Sequence, residues 1–167
     1  MPQPGSGKKL VAGWFSFSCC EDSTIMMTEL LNDHYAEWLP QIDFRYAKVL
    51  RQDRPPGPMD VAFVEGAITS ATQEKQVKEI RRLAKKVVAI GSCACTGMPS
   101  GSRNVFDEKT RQEIKFLIER FNMGEKVKKL EDVIPVDAKV PGCPMNTDAF
   151  LKTVQAALQE FKSANNA

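Results

Sequence analysis

The chain has 167 residues, 43% hydrophobic and 26% charged, with 23 Lys and Arg against 21 Asp and Glu. That is the length and apolar content of one globular domain spanning residues 1–167 with short flexible termini, and it excludes disordered, collagen-like and fibrous chains. The net charge of +2 is small and interspersed, so neither nucleic acid nor a membrane surface is expected as a partner. The uncharged run 10–20 falls far short of the roughly 20 apolar residues a membrane span needs, and neither a cleavable signal nor a twin-arginine leader is read in the sequence. The expected location is the cytoplasm, with any membrane association made only through partners.

Residues 9–17 read as a first strand. A helix is predicted over 23–38, where Ile25, Met26, Leu30, Leu31 and Trp38 make an incomplete stripe and Ser23 or Thr24 is available as N-cap. Residues 42–50 alternate as a second strand. After the breaker Arg54-Pro55-Pro56-Gly57-Pro58, residues 59–64 form a short continuous apolar run of the buried-strand type, ending at Glu65-Gly66. Residues 72–85 carry Val77, Ile80, Leu83 and Ala84 at helical spacing, and 87–90 is the most strand-like segment, closed by Gly91. A further helix is predicted over 107–121, with Ile114, Leu117, Ile118 and Phe121 as its apolar face. A weak strand over 133–140, interrupted by Pro135, precedes a C-terminal helix over 147–161, and 163–167 is expected to fray.

Strands alternating with helices imply a doubly wound α/β domain, a mostly parallel sheet with helices on both faces. Ligands of such sheets sit beyond the carboxyl ends of the strands. The five cysteines are too few for a disulfide scaffold but fall at those ends: Cys19 and Cys20 after the first strand, Cys93 and Cys95 after 87–90, and Cys143 after the last. Thiolates converging there suit a 4Fe-4S cluster or a structural zinc, while ordinary buried thiols are the plain alternative. Adjacent cysteines give an awkward bite on one tetrahedral ion, whereas a cubane offers separate iron corners, so spacing favours the cluster.

The segments Phe17-Ser18-Cys19-Cys20-Glu21-Asp22-Ser23, Val64-Glu65-Gly66, Gly91-Ser92-Cys93-Ala94 and Val140-Pro141-Gly142-Cys143-Pro144 resemble, in the same order, the small subunit of NiFe hydrogenases and the homologous 20 kDa subunit of respiratory complex I. The resemblance covers residues 9–160. It implies a flavodoxin-like fold, one proximal 4Fe-4S cluster, and Cys19, Cys20, Cys93 and Cys143 as ligands, with Cys95 as a spare thiol or a substitute for one of the tandem pair. The Cys-x-x-Cys usual at the first hydrogenase site is missing, since Ser16 and Phe17 stand where its first cysteine would be. The tandem Cys19-Cys20 is instead of the complex I kind, and the Glu21-Asp22-Ser23 that follows is closer to the hydrogenase branch.

The resemblance implies an electron-transfer subunit of a soluble NiFe-hydrogenase-like oxidoreductase. It would supply no catalytic residue, relay electrons between a large-subunit NiFe site and iron-sulfur or flavin subunits serving NAD or ferredoxin, and form a hetero-oligomer with them. Alternatives are the quinone-reducing 20 kDa subunit of a complex-I-like enzyme, a cluster-free or zinc-binding scaffold, and a redox thiol on Cys19-Cys20, which a strained vicinal disulfide disfavours. Gly91, Gly97 and Gly142 offer positive φ near the cysteines, and Pro144 fixes the exit of the Cys143 loop. Glu21 and Glu65 read as partner-contacting or proton-moving acids or as surface and capping acids. Arg103 reads as a partner-pairing or solvated loop cation, and His34 as a packing or surface residue. No P-loop, GxGxxG, HExxH or Gly-x-Ser-x-Gly motif occurs, and Cys19-Cys20 fills the loop where flavin phosphate would need a Ser/Thr-rich cradle.

Overall fold

The structure, a computed structural model, describes residues 8–51 and 54–166; the expected flexible segment 1–7 and Ala167 lie outside the described residues. Five strands, β1 (Leu10–Ser16), β2 (Ile42–Ala47), β3 (Met59–Glu65), β4 (Ala84–Ile90) and β5 (Ala138–Val140), form one sheet in the order β2-β1-β3-β4-β5. Every pairing is parallel. The strand order reverses between β1 and β3, as in doubly wound sheets. β3 sits in the middle and is buried at every position except Asp60, as a strand covered on both faces must be.

Alternation along the strands sends side chains to two separate cores. On one face Leu10, Ala12, Trp14, Phe63 and Ile90 pack against α1 (Asp22–Asp33), α2 (Tyr35–Trp38) and α6 (Thr147–Asn166). The centre of that core is Phe150, fully buried, with its ring 5.8 Å from Trp14, 6.3 Å from Trp38 and 5.4 Å from Phe63, all edge-on. On the other face Ala62, Val64, Val87 and Ala89 pack against Val77 and Ile80 of α3 (Ala71–Leu83), against α4 (Gly91–Thr96), and against the 3-10 turn Leu130–Asp132.

Several elements differ from the sequence expectation. The helix predicted over 23–38 breaks at His34, whose φ of −102° leaves the helix and whose ring stacks on Trp38 at 5.0 Å. The second strand stops at Ala47 because the chain turns into a 3-10 helix, Lys48–Leu50. The weak strand over 133–140 shrinks to Ala138–Val140, since Leu130 and Ile134 fill the core from a turn instead. The C-terminal helix does not end at 161 but continues through Asn166.

The largest correction concerns α5 (Glu108–Arg120). Its stripe is not core: Ile114 and Ile118 are half-buried, Leu117 and Phe121 are 40% and 62% exposed, and the helix has no buried residue. That face of the sheet is already covered by α3, α4 and the 3-10 turn, so α5 stands outside the second core, held at its start by Asp107, whose carboxylate accepts from Thr110 N–H at 2.7 Å.

Replacing Phe150 with Ala is expected to cost about 3–5 kcal/mol of stability, the range for emptying a well-packed aromatic site, measured by urea unfolding of the assembled protein. A loss within about 0.5 kcal/mol, typical of a surface substitution, would remove Phe150 from the centre of the core.

Candidate functional site

The sheet register sets the site. Ser16 pairs with Glu65, Glu65 with Ile90, and Ile90 with Val140, so four neighbouring strands end at one level and their loops leave side by side. Three of those loops carry the cysteines. The β1–α1 loop brings Cys19 and Cys20, α4 brings Cys93, and the β5–α6 loop brings Cys143. All four line one shallow depression, open to solvent, together with Asp22, Ser23, Glu65 and Gly91. Cys93 is buried, Cys19 half-buried, and Cys20 and Cys143 exposed.

Backbone contacts lock the loops to one another. Phe17 N–H donates to Glu65 O at 2.8 Å, and Ser18 and Ala67 exchange both backbone bonds. Ser92 N–H donates to Gly142 O at 2.7 Å, which ties the Cys93 loop to the Cys143 loop. Gly142 has φ +120°, and a Cβ there would stand 2.5 Å from Pro144 O, so only glycine permits this turn. Gly91, also expected to need positive φ, has φ +76°.

Hydroxyls complete the bracing. Ser100 Oγ donates to Ser18 O at 2.9 Å, which leaves the Cys93 thiol, 3.1 Å away, as the donor to Ser100 Oγ. Ser23 Oγ accepts from Met145 N–H at 3.2 Å. Sequence reading missed Ser100: a serine in a polar loop carries no signal by type or spacing that would mark it out. Ser23, expected as a helix cap, instead lies inside the first turn of α1, where its own N–H is capped by Glu65 Oε1 at 3.1 Å.

Glu65 is buried beneath the depression. Its second oxygen accepts from Thr24 Oγ1 at 2.6 Å, and Thr24 Oγ1 accepts in turn from Trp14 Nε1 at 2.8 Å. Glu21 is exposed, in left-handed backbone (φ 63°).

Cys95 does not join the other four. On a helix two residues are about 200° apart, so with Cys93 facing the depression Cys95 points into the second core, where its thiol donates to Ala89 O at 3.6 Å. Arg103 is not a solvated loop cation: its guanidinium donates to Gly124 O at 2.7 Å and to Met123 Sδ at 3.0 Å, while its buried Nε finds no partner.

The electrostatics oppose free thiolates. Burial pushes the Cys19 thiol up to about 12 despite the Glu21 backbone N–H, with the charges of Glu65, Glu21 and Cys93 adding to the rise. At Cys20 the Asp22 N–H favours the thiolate, but the Asp22 carboxylate, some burial and Cys143 outweigh it, and the net shift is upward. Burial also raises Cys95, against the opposing charge of Lys139. Thiols in this setting ionise readily only when a bound cation takes the charge. Among the described residues no three His, Cys, Asp or Glu side chains gather closely enough to hold one metal ion. The four thiols line the wall of the depression.

This parallel α/β domain, with four thiols at its strand ends, shares its fold with known proteins, and these place the chain in a family. The model of the family "NADH ubiquinone oxidoreductase, 20 Kd subunit" matches residues 19–157, and the chain belongs to that family. Its relatives include a subunit of the F420-non-reducing hydrogenase of Methanothermobacter marburgensis, 31% identical over 70% of this chain and 43% of the relative. Another is a subunit of the F420-non-reducing hydrogenase vhu of Methanocaldococcus jannaschii, 30% identical over 87% of this chain and 55% of the relative. The chain thus spans about half the length of the curated relatives it matches. A chain of the NAD+-reducing [NiFe]-hydrogenase in the H2-reduced state shares the fold, with a TM-score of 0.76 at 20% identity over 92% of this chain and 93% of that one.

At pH 9 an ordinary thiol titrating at 9.0 is half ionised, whereas one titrating near 12 is roughly a thousandth ionised. Iodoacetamide should therefore label Cys19 at least a hundred-fold more slowly in the folded metal-free chain than in urea, read by tandem mass spectrometry. Equal rates would place the Cys19 thiol in solvent.

Proposed function

We propose that this chain is the electron-transfer small subunit of a NiFe-hydrogenase-like complex, holding one proximal 4Fe-4S cluster on Cys19, Cys20, Cys93 and Cys143. The observation that carries the reading is the gathering of these four thiols, from three separate loops, on one depression at the carboxyl edge of the sheet. The residues fit such a group by the chemistry of the donor set: four thiols share one wall, burial holds the Cys19 thiol protonated without a cation, and Cys95 is turned away. When bound, the cluster supplies reversible one-electron transfer. The chain's own part is to hold it, shield its inner side with Cys19, Cys93 and Ile90, and present Cys20 and Cys143 outward.

On this reading the chain supplies no catalytic residue of its own and serves a large partner that does the chemistry. That partner would be a hydrogenase-like large subunit bearing the NiFe site, with further iron-sulfur or flavin subunits accepting the electrons, the whole complex lying in the cytoplasm. The hydrogenase names of the relatives support this branch. The tandem Cys19-Cys20 supports the second reading, a quinone-reducing subunit of a complex-I-like enzyme. Nickel in the co-purified partner separates them. Among the described residues no helix is long and apolar enough to cross a membrane.

Anaerobic purification of the complex through this chain should yield about four iron and four sulfide assigned to this subunit. Serine at Cys19, Cys20, Cys93 or Cys143 should each abolish or convert the cluster's low-temperature EPR signal, and Cys95→Ser should leave it intact. Loss on Cys95→Ser with retention on one of the other four would redraw the ligand set, and absence of iron from the wild-type subunit would overturn the reading.

A further inference from the structure

We propose that Glu65 is a potential-setting residue: its buried carboxylate, fixed beside the four thiols, lowers the reduction potential of the group they hold. The inference rests on the cluster reading above and adds to it a role for a residue that is not a ligand.

Glu65 is 3% exposed at the end of β3 and forms part of the wall of the depression. Both of its oxygens act as acceptors, Oε1 from Ser23 N–H at 3.1 Å and Oε2 from Thr24 Oγ1 at 2.6 Å. An ionised carboxylate is acceptor-only, whereas a protonated one would have to donate from one of these oxygens. Two donors thus face the two oxygens, the surroundings an ionised carboxylate requires. Its orientation is fixed in turn by Trp14 Nε1, which donates to Thr24 Oγ1 at 2.8 Å.

Capping alone does not explain a buried acid here. The first turn of α1 needs a partner for Ser23 N–H, and a Ser, Asn or Asp side chain at position 21 would supply one from the surface without burying a charge. Instead Glu21 lies in left-handed backbone and makes no cap, and the acceptor comes from the middle of the sheet. The positive end of the α1 dipole and the two donors hold the charge in place without cancelling it.

Reduction adds one electron to the metal group. A fixed negative charge nearby repels it, and the repulsion is stronger where protein rather than water fills the intervening space. The other acid of the wall, Asp22, is exposed and screened by solvent, and among the described residues no Lys or Arg lines the depression to offset Glu65.

The test is an EPR-monitored redox titration of the cluster in the intact, anaerobically purified complex. Glu65→Gln keeps the size and removes the charge, and an upward shift of the midpoint potential with the EPR line shape retained is expected. Glu65→Asp, which keeps the charge, should shift it less. An unchanged or lowered potential in Glu65→Gln, or an equal shift in Glu65→Asp, would overturn the inference and leave the cluster reading standing. Absence of any cluster signal in the wild type would instead remove the reading on which it rests. Should Glu65→Gln fail to assemble, Glu65→Asn, which removes the charge and retains an amide acceptor for the Ser23 and Thr24 donors, takes its place, and the same upward shift decides.

Discussion

Everything at the site follows from one constraint, the common level at which the parallel strands stop. Ser16, Glu65, Ile90 and Val140 form a single row across β1, β3, β4 and β5. Parallel pairing aligns all the carboxyl ends on one edge, and the register makes those ends coincide. Loops far apart in the chain are thereby delivered within hydrogen-bonding reach of each other. Ser92 N–H reaches Gly142 O, and Ser100 Oγ reaches Ser18 O, 82 residues away. A one-residue slip of β3 would invert every side chain of that strand between the two cores, and would carry Glu65 out from under α1.

The two cores protect that register. Phe150 and its three aromatic neighbours fix α6, and hence the loop that carries Cys143, against β1, which launches Cys19, and β3, which ends at Glu65. On the opposite face Leu130 and Ile134 pack against β4 from a turn rather than a helix, which lets the chain run from α4 out through α5 and back to β5. The excursion carries Ser100, which braces Cys93, so a segment outside the sheet still contributes to the wall of the site.

Most of the fold was legible in the sequence because the strand signal is dense where burial is two-sided. The 59–64 run has the pattern of a buried strand and the 87–90 run is the most strand-like segment, and the parallel order followed from the helices between them. The cysteine placement was legible for the same reason: it needed only the strand ends, not the loops. What escaped was decided by packing between layers. The α5 stripe has helical period but no layer left to cover, and periodicity alone cannot report that the second face is already occupied. The split at His34 and the shortness of β5 are likewise settled by Trp38 and by Leu130 and Ile134 filling their cores. Glu65 was legible as an acid at a strand end, but its burial was not, since that depends on Thr24 and Ser23 arriving from α1.

The wall of the depression is asymmetric, and the asymmetry gives it a direction. Cys93 and Cys19 are set into the body of the domain, over Ile90 and Glu65, whereas Cys20 and Cys143 stand on the solvent side. A group held by all four thiols would have one dry hemisphere supplied by this chain and one wet hemisphere. Low dielectric on both sides is what makes a buried charge effective and keeps water from an exposed metal, and this chain builds only half of it. A partner surface laid over Cys20 and Cys143 would close the second half. On the proposed cluster reading the site would be completed only in an assembly, with the partner laid over the outer thiols Cys20 and Cys143.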